Sequence, residues 1–301
     1  MGETGNKGGP EITSQNVEAS EKPRVEEMLS AGRRKTPWPL VVVAVLFVVV
    51  PFLTWYWTWF GRSLSDDEIE SYIREGNPRH AQHALSQIAE RIEKGDGGAN
   101  RWFPQVVALA KNPEADVRMT AAWVMGAEHR SEDFHAALLR LLEDPEPIVR
   151  RNAALALVRF GDERCRGELL SMLRPYTLKA DASGVALTAL TEGSFVKRDS
   201  LLVKYRDASD ATEEVRSPLP GTIENAFIKD GDGFNAGSEL FKLAPDPEQA
   251  RDALVGLYYF GGAEDLPEVE RYAVGAAGMP EDVKEKAAQA AEAIKRRVAG
   301  R

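Results

Sequence analysis

Two stretches of the sequence, ADVRMTAAWVMG at residues 115–126 and PIVRRNAALALV at residues 147–158, repeat one pattern. Arg118 in the first corresponds to Arg150 in the second, and each follows a valine and precedes two alanines by three positions. The two arginines are 32 positions apart, a spacing typical of stacked helix-pair repeats. The pattern therefore predicts a mainly α fold built from repeated pairs of helices.

A further amphipathic segment precedes each copy, ANRWFPQVVALAKN at residues 99–112 and SEDFHAALLRLLED at residues 131–144, and a proline then interrupts the helix. The whole pattern resembles short HEAT repeats of the phycobilisome-lyase-like type, whose second helix reads D-x-x-V-R-x-x-A-A-x-A-L. The resemblance implies an α-solenoid in which paired alanines allow close helix approach. We expect the repeated arginine to reach acidic caps of the adjacent repeat.

Later copies keep the period, but one gap in the series is too long. QARDALVGLYY places Arg251 at the arginine position, and DVKEKAAQAAEA places a lysine there 33 positions later. Arg150 and Arg251 are 101 positions apart, and removing the 69 residues 177–245 would restore a spacing of 32. The sequence therefore predicts a domain inserted between the two helices of one pair, with HEAT-type repeats at 62–176 and 246–301.

The segment VRSPLPGTIENAFIKDGDGFNAGSELFKL, residues 215–243, has regularly spaced glycines and alternating apolar residues, as strands and turns do. Residues 183–205 repeat this pattern more loosely. The segment resembles the biotinyl/lipoyl-like domain, which implies a small all-β barrel-sandwich of two interlocked hairpins. The positions that carry the resemblance are Ser217, Pro218, Gly221, Ile223, Ile228, Gly231, Asp232, Phe234, Gly237 and Leu240.

In cofactor-carrying members of that family, the modified lysine stands at the tip between the halves. Here the tip, a ten-residue acidic loop at 206–215, has no lysine, since Lys197 and Lys204 precede it. We therefore expect no covalent biotin or lipoate. The unmodified module is similar to that of periplasmic adaptor proteins of efflux and secretion systems, although no second β-barrel domain follows it here.

Residues 38–61, WPLVVVAVLFVVVPFLTWYWTWFG, contain no charged side chain, and about 20 such residues span a bilayer as a helix. Aromatic residues crowd the far end, as in an interfacial belt. Arg33, Arg34 and Lys35 precede the segment, so the positive-inside rule places that flank in the cytoplasm. We expect a single-pass inner-membrane protein with a disordered cytoplasmic tail at 1–37 and with residues 62–301 on the extracytoplasmic, periplasmic side.

Composition and motifs exclude several function classes. The net charge of −9 without a basic stripe argues against nucleic acid, and the single cysteine, Cys165, excludes a disulfide framework. His80 with His83, and the DGDG turn at 230–233, lack the further ligands of a zinc or calcium site. We predict no catalytic, cofactor-binding or metal-binding residues, and no cofactor.

The remaining expectation is a membrane-anchored, non-catalytic scaffold or adaptor. It would present a HEAT stack and an unmodified lipoyl-like module to a protein partner outside the cytoplasm, of which an envelope complex is one kind. The alternative is an accessory enzyme or a chromophore- or cofactor-processing protein, as some relatives of this HEAT type are, which would require a polar pocket with convergent titratable groups.

Overall fold

The computed structural model describes residues 38–59 and 63–300. The chain divides into two compact units with a boundary after residue 62. The tail expected at residues 1–37, including Arg33, Arg34 and Lys35, lies outside the described residues.

The first unit contains helix α1 (Trp38–Trp59), which continues through Pro51. Its described apolar side chains are exposed, and Phe47 retains 79% of its accessible surface. Within the described residues, no helix meets the combined requirements of length and apolarity for crossing a membrane. The single transmembrane helix expected at 38–61 is therefore not supported by the described part of the chain.

The second unit is mostly helical, as the repeat pattern predicts. Short 3-10 turns precede α4, α8 and α10. Its helices are α2 (Asp66–Arg74), α3 (Pro78–Glu93), α4 (Phe103–Leu109), α5 (Ala115–Ala127), α6 (Glu132–Leu141), α7 (Pro147–Phe160), α8 (Arg166–Met172), α9 (Pro247–Phe260), α10 (Leu266–Gly275) and α11 (Glu281–Ala299).

Local sequence sets where several of these helices begin. Ser65 and Glu68 form a capping box at α2. Asp246 accepts hydrogen bonds from the Glu248 and Gln249 amides at the start of α9, where Pro247 occupies the first turn. Such caps satisfy amide groups that have no partner inside the helix, so the breaks between helices follow from the residues themselves.

The helices pack as two rows. The first helices of the pairs, α2, α4, α6, α8 and α10, lie against the second helices α3, α5, α7, α9 and α11, and the second helices also pack on one another. Ala121, Ala122, Ala153 and Ala154 are completely buried, as expected for positions where neighbouring helices approach closely. The apolar core runs along the interface between the two rows.

Between α8 and α9 the chain forms β-structure from Tyr176 to Ala244. Its strands are β1 (Tyr176–Lys179), β2 (Gly184–Ala189), β3 (Phe195–Val196), β4 (Leu201–Arg206), β5 (Thr212–Arg216), β6 (Gly221–Ala226), β7 (Gly233–Phe234) and β8 (Glu239–Ala244). They form two antiparallel sheets in the orders β1-β8-β6-β3 and β5-β4-β2-β7. The first and last strands of this region are paired, and Tyr176 of β1 lies opposite Leu243 of β8. The chain therefore enters and leaves the region at adjacent points.

The two sheets have the same construction. Shifting every strand number by four converts the order of the first sheet into that of the second. The linking hydrogen bonds repeat too: the amide of Ala186 donates to the Asp232 carbonyl at 2.9 Å, and the amide of Ile223 donates to the Ser194 carbonyl at 2.9 Å. Each half of the β-region thus contributes strands to both sheets.

The tip between the halves differs from the expected ten-residue acidic loop. Strands β4 and β5 pair from Arg206 with Thr212 onwards, so only residues 207–211 connect them. The carboxylate of Asp207 accepts hydrogen bonds from the Ser209 and Ala211 amides, and Asp210 takes a positive φ of 69°. These contacts close a tight hairpin, which the sequence pattern alone did not indicate.

The alignment of α9 with α7 also differs from the expected one. Buried Ala153, Ala154 and Leu157 correspond to buried Ala253, Leu254 and Leu257, a spacing of 100 rather than 101. The expectation followed Arg251, but burial of the core side is the stronger constraint on helix phase.

The β-region lies beside the starts of the second-row helices. Arg198, in the turn between β3 and β4, forms an ion pair with Asp116 in the first turn of α5. A polar cleft of about 520 Å³ lies between Pro147 at the start of α7 and Tyr176 of β1. The strands therefore cover one edge of the solenoid and leave the outer side of the second-row helices open.

Candidate partner-binding face

The exposed side of α5, α7, α9 and α11, which we call the B-face, is the candidate functional site. Large apolar side chains lie open on it: Trp123 of α5 is 49% exposed and Tyr259 of α9 is 58% exposed. Val255 and Tyr258 of α9 are exposed as well. Single exposed apolar residues are common, but a contiguous group of them marks an interaction surface.

The side chains in the middle of this face come from one equivalent position in three repeats. Trp123, Leu155 and Val255 each directly follow a buried residue of the core side, and one helix step of about 100° turns them outward. All three line one groove of about 460 Å³ across α5, α7 and α9. Helices α5 and α7 are close together beneath this groove, since a Cβ on Gly126 would lie only 2.9 Å from that of Ala156.

A second groove, of about 590 Å³, lies between α9 and α11 and shares Val255 with the first. Tyr258 and Tyr259 line its α9 side, with ring centroids 5.1 Å apart in an edge-to-face arrangement. Leu254 and Leu257 face the core instead. Residues 254–262, LVGLYYFGG, therefore contribute to two different surfaces because of the helix period. The leucines face the core, and the tyrosines belong to the B-face.

The two grooves carry different charges. The first contains Asp252 and Arg159, and partial enclosure raises the pKa of the Asp252 carboxyl above its usual range, with Glu248 adding to the shift. The second is lined by Lys286 and Arg296 of α11. Neither of these cations forms an ion pair within the part of the chain that the structure describes.

The repeated arginines act between repeats, as expected. Arg118 donates to both carboxylate oxygens of Asp144 at 2.7 and 2.9 Å, and this pairing raises the pKa of its guanidinium. Arg150 lies 3.4 Å from Glu168 of the following pair. Arg251, which is one position beyond the repeat position in the 100-residue alignment, contacts Asp282 of the following pair at 2.5 Å. These side chains are occupied in holding neighbouring repeats together, so they are structural and not part of the B-face.

Arg151 occupies the point where the β-region joins the solenoid. It is 4% exposed, donates to the Gln249 side chain, and lies 4.0 Å from Glu168. Its Nε atom is buried without a hydrogen-bond partner, and desolvation lowers the pKa of the guanidinium to about 10. The arginine links α7 to the first turn of α9 across the insertion.

Local contacts involve His80, His83 and His135. His80 contacts Glu75 at 2.5 Å and stacks on Tyr72, and His135 contacts Asp162 at 2.6 Å. His83 lies tilted against the Tyr72 ring. Among the described residues, no group of three or more His, Cys, Asp or Glu side chains could hold a metal ion.

Other sequence candidates have structural partners. Lys204 of β4 lies 3.5 Å from Glu214 of β5, and the Lys197 amide donates to Ser200 in the turn before β4. In the DGDG turn, Asp230 accepts a hydrogen bond from the Ala189 amide of the other half. Cys165 is buried, and desolvation raises the pKa of its thiol to about 12.

The patterns in the sequence did not indicate Trp123, Asp252, Lys286 or Arg296 as site residues. A signal was present for the first: Trp123 and Leu155 occupy the same repeat position, next to alanines already assigned to the core. The charged residues gave no such signal, because their proximity depends on how α9 packs beside α7 and α11.

Comparison with known proteins agrees with this geometry in part. A family model described as HEAT repeats matches residues 103–190, which span α4 to α8 and the first strands. The chain contains HEAT repeats. No curated protein matches it. A similar solved chain, described as a single-chain, multi-domain long-chain acyl-CoA carboxylase, is 16% identical, with a TM-score of 0.23. The match covers 34% of this chain and only a tenth of that one, and a TM-score this low does not establish a shared fold.

Proposed function

We propose that this chain is a non-catalytic scaffold whose HEAT repeats bind a protein partner through the B-face. The observation that carries the proposal is the continuous pair of grooves around Val255, lined by Trp123 and Tyr259 and open to solvent. HEAT repeats commonly mediate contacts between proteins, and aromatic residues are enriched where such contacts contribute most binding energy. The open, largely aliphatic and aromatic lining favours partner binding over the accessory-enzyme alternative.

Photocrosslinking tests this proposal. A photoreactive amino acid placed at Trp123, Leu155 or Tyr259 of the full chain, in cells that make the protein, should give one discrete protein adduct. The same amino acid at the exposed Lys111, in the turn after α4, or at Arg140 of α6 should not. Adducts of equal yield from the B-face and the control positions, or none from the B-face, would contradict the proposal.

The β-region supports a further part of the proposal. Its four-strand shift symmetry and its glycine pattern support a lipoyl-like module of two interlocked halves. Residues 207–211, which form the tip, include no lysine, so we propose that the module is unmodified and serves as a second docking surface.

Membrane anchoring and an extracytoplasmic location also belong to the proposal, and they rest on the charge-free sequence 38–61 and its basic flank. A reporter that is active only outside the cytoplasm should be active when fused at Arg301. Moving Arg33, Arg34 and Lys35 to the far flank should weaken that activity. Activity of a cytoplasm-specific reporter at Arg301 would refute this orientation.

A further inference from the structure

The groove between α9 and α11 holds apolar and cationic groups side by side. On α11, Lys286, Gln289, Glu292 and Arg296 recur at three- and four-residue spacing and so share one face of the helix. On α9, Val255, Tyr258 and Tyr259 form the opposite wall. The Arg297 guanidinium donates to the Tyr258 carbonyl, which fixes the C-terminal ends of both helices side by side.

Two other lysines of α11 form ion pairs, and Arg297 donates to the Gly261 and Tyr258 carbonyls. Lys284 lies 3.1 Å from Glu281, and Lys295 lies 3.0 Å from Glu270 and 3.7 Å from Glu292. The one carboxylate of the groove is thus shared with a lysine. Lys286 and Arg296 line the groove without an ion pair in the described part of the chain.

The resulting charge has the opposite sign to that of the molecule. The whole chain carries −9, whereas two uncompensated cations flank the tyrosines of this groove. Ten residues of helix separate Lys286 from Arg296, which corresponds to about 15 Å along α11. Complementary charge on a partner would meet these cations beside exposed apolar side chains that binding would remove from water, and such charge complementarity contributes to specificity.

We propose that the α9–α11 groove binds a segment of the partner protein in which two carboxylates, about 15 Å apart, flank an apolar side chain. The apolar side chain packs between Val255 and Tyr259, and the carboxylates pair with Lys286 and Arg296. This inference rests on the proposed scaffold function and assigns the partner segment its chemistry.

The experiment selects binders from a displayed library of random 16-residue peptides on the purified full-length chain. The enriched peptides should share an apolar or aromatic residue flanked on both sides by Asp or Glu. The affinity of a synthetic copy, measured by fluorescence anisotropy, should fall by about tenfold with Lys286→Glu or with Arg296→Glu. Tyr259→Ser should weaken it comparably, while Lys111→Glu and Arg140→Glu, both outside the B-face, should leave it unchanged.

Exchanging the charges of the peptide and of the groove tests whether the two pair directly, because a structural defect in the variants would not be rescued. A peptide in which one flanking acid is replaced by lysine should bind poorly to the parent chain and regain affinity for the Lys286→Glu or the Arg296→Glu variant. Circular dichroism should be the same for all variants, because the substituted side chains are solvent-accessible.

Three outcomes overturn the inference: no enriched peptide, enriched peptides without flanking acids, or affinities that the groove substitutions do not change. The last outcome separates this inference from the scaffold proposal. Peptides that lose affinity with Trp123→Ser but not with Lys286→Glu would leave the B-face as the binding surface and remove only the acidic partner segment.

Discussion

The contact between Arg118 and Asp144 shows how a single residue position can hold a repeat fold together. Asp144 is only 8% exposed, and both of its carboxylate oxygens accept from the Arg118 guanidinium. The same guanidinium donates to the Asn112 and Pro113 carbonyls at the turn between two helices. One side chain therefore closes its own turn and connects it to the next repeat.

Removing this arginine should be costly. Arg118→Met leaves the Asp144 carboxylate buried without its cation, and such a change costs about 3–5 kcal/mol of the free energy of unfolding. Urea denaturation followed by circular dichroism measures the loss. The matched control is Arg130→Met, which breaks an exposed pair with Glu128 and should cost less than about 1 kcal/mol. Equal losses from both variants would show that the pair does not hold the repeats together.

In both halves of the β-region, a glycine lies where the backbone of the neighbouring strand leaves no room for a side chain. A Cβ on Gly221 of β6 would lie 2.5 Å from the Ala244 carbonyl of β8, and one on Gly184 of β2 would lie 2.7 Å from the Arg206 carbonyl of β4. The two glycines are equivalent under the four-strand shift. The glycine spacing in the sequence therefore reflects steric limits between paired strands.

Substituting either glycine by alanine should destabilise the β-region by about 1–3 kcal/mol, because the strands must move apart. Gly233→Ala, in β7, is the control, since a Cβ there meets nothing within 4 Å. Amide hydrogen exchange should show faster exchange in β4 or β8 for the two substitutions and parent-like exchange for the control. Parent-like exchange in all three variants would contradict the inferred steric limit.

The second unit of the molecule consists of a solenoid and a β-region whose two ends lie side by side. Because Tyr176 and Leu243 lie opposite each other in paired strands, the ends of the β-region are adjacent. Helices α8 and α9, on either side of it, pack together directly. An ion pair between Arg198 of the β-region and Asp116 of α5 connects the two parts.

We therefore predict that the solenoid folds without the insertion. A chain in which Pro175 is joined to Asp246 through a short Gly/Ser linker should unfold cooperatively as a helical protein, and residues 177–245 alone should give a β-type circular dichroism spectrum. Arg198→Ala, which removes the ion pairs with Asp116 and with the adjacent Asp199 but leaves the chain otherwise unchanged, is the control and should keep both parts intact. If the deletion leaves α9 unprotected in hydrogen exchange, the β-region is an integral part of the core and not an inserted domain.

The sequence by itself determined the features that depend on neighbouring residues along the chain. The 32-residue period indicated the helix pairs, the alanines beside Arg118 and Arg150 indicated where helices approach, and the glycines after Ser183 indicated strands and turns. Each of these is a local preference of the backbone, repeated at a fixed interval, so a linear pattern is sufficient to read it.

Only the tertiary structure decided which residues meet across repeats. Trp123, Val255 and Lys286 come from three helix pairs, and the 69-residue β-region interrupts the chain between the first and second of these residues. The burial of Arg151 and the one-residue difference in the phase of α9 likewise depend on how α7, α8 and α9 pack around that insertion. Packing between segments distant in sequence sets these contacts, and the periodicity of any one segment carries no information about them.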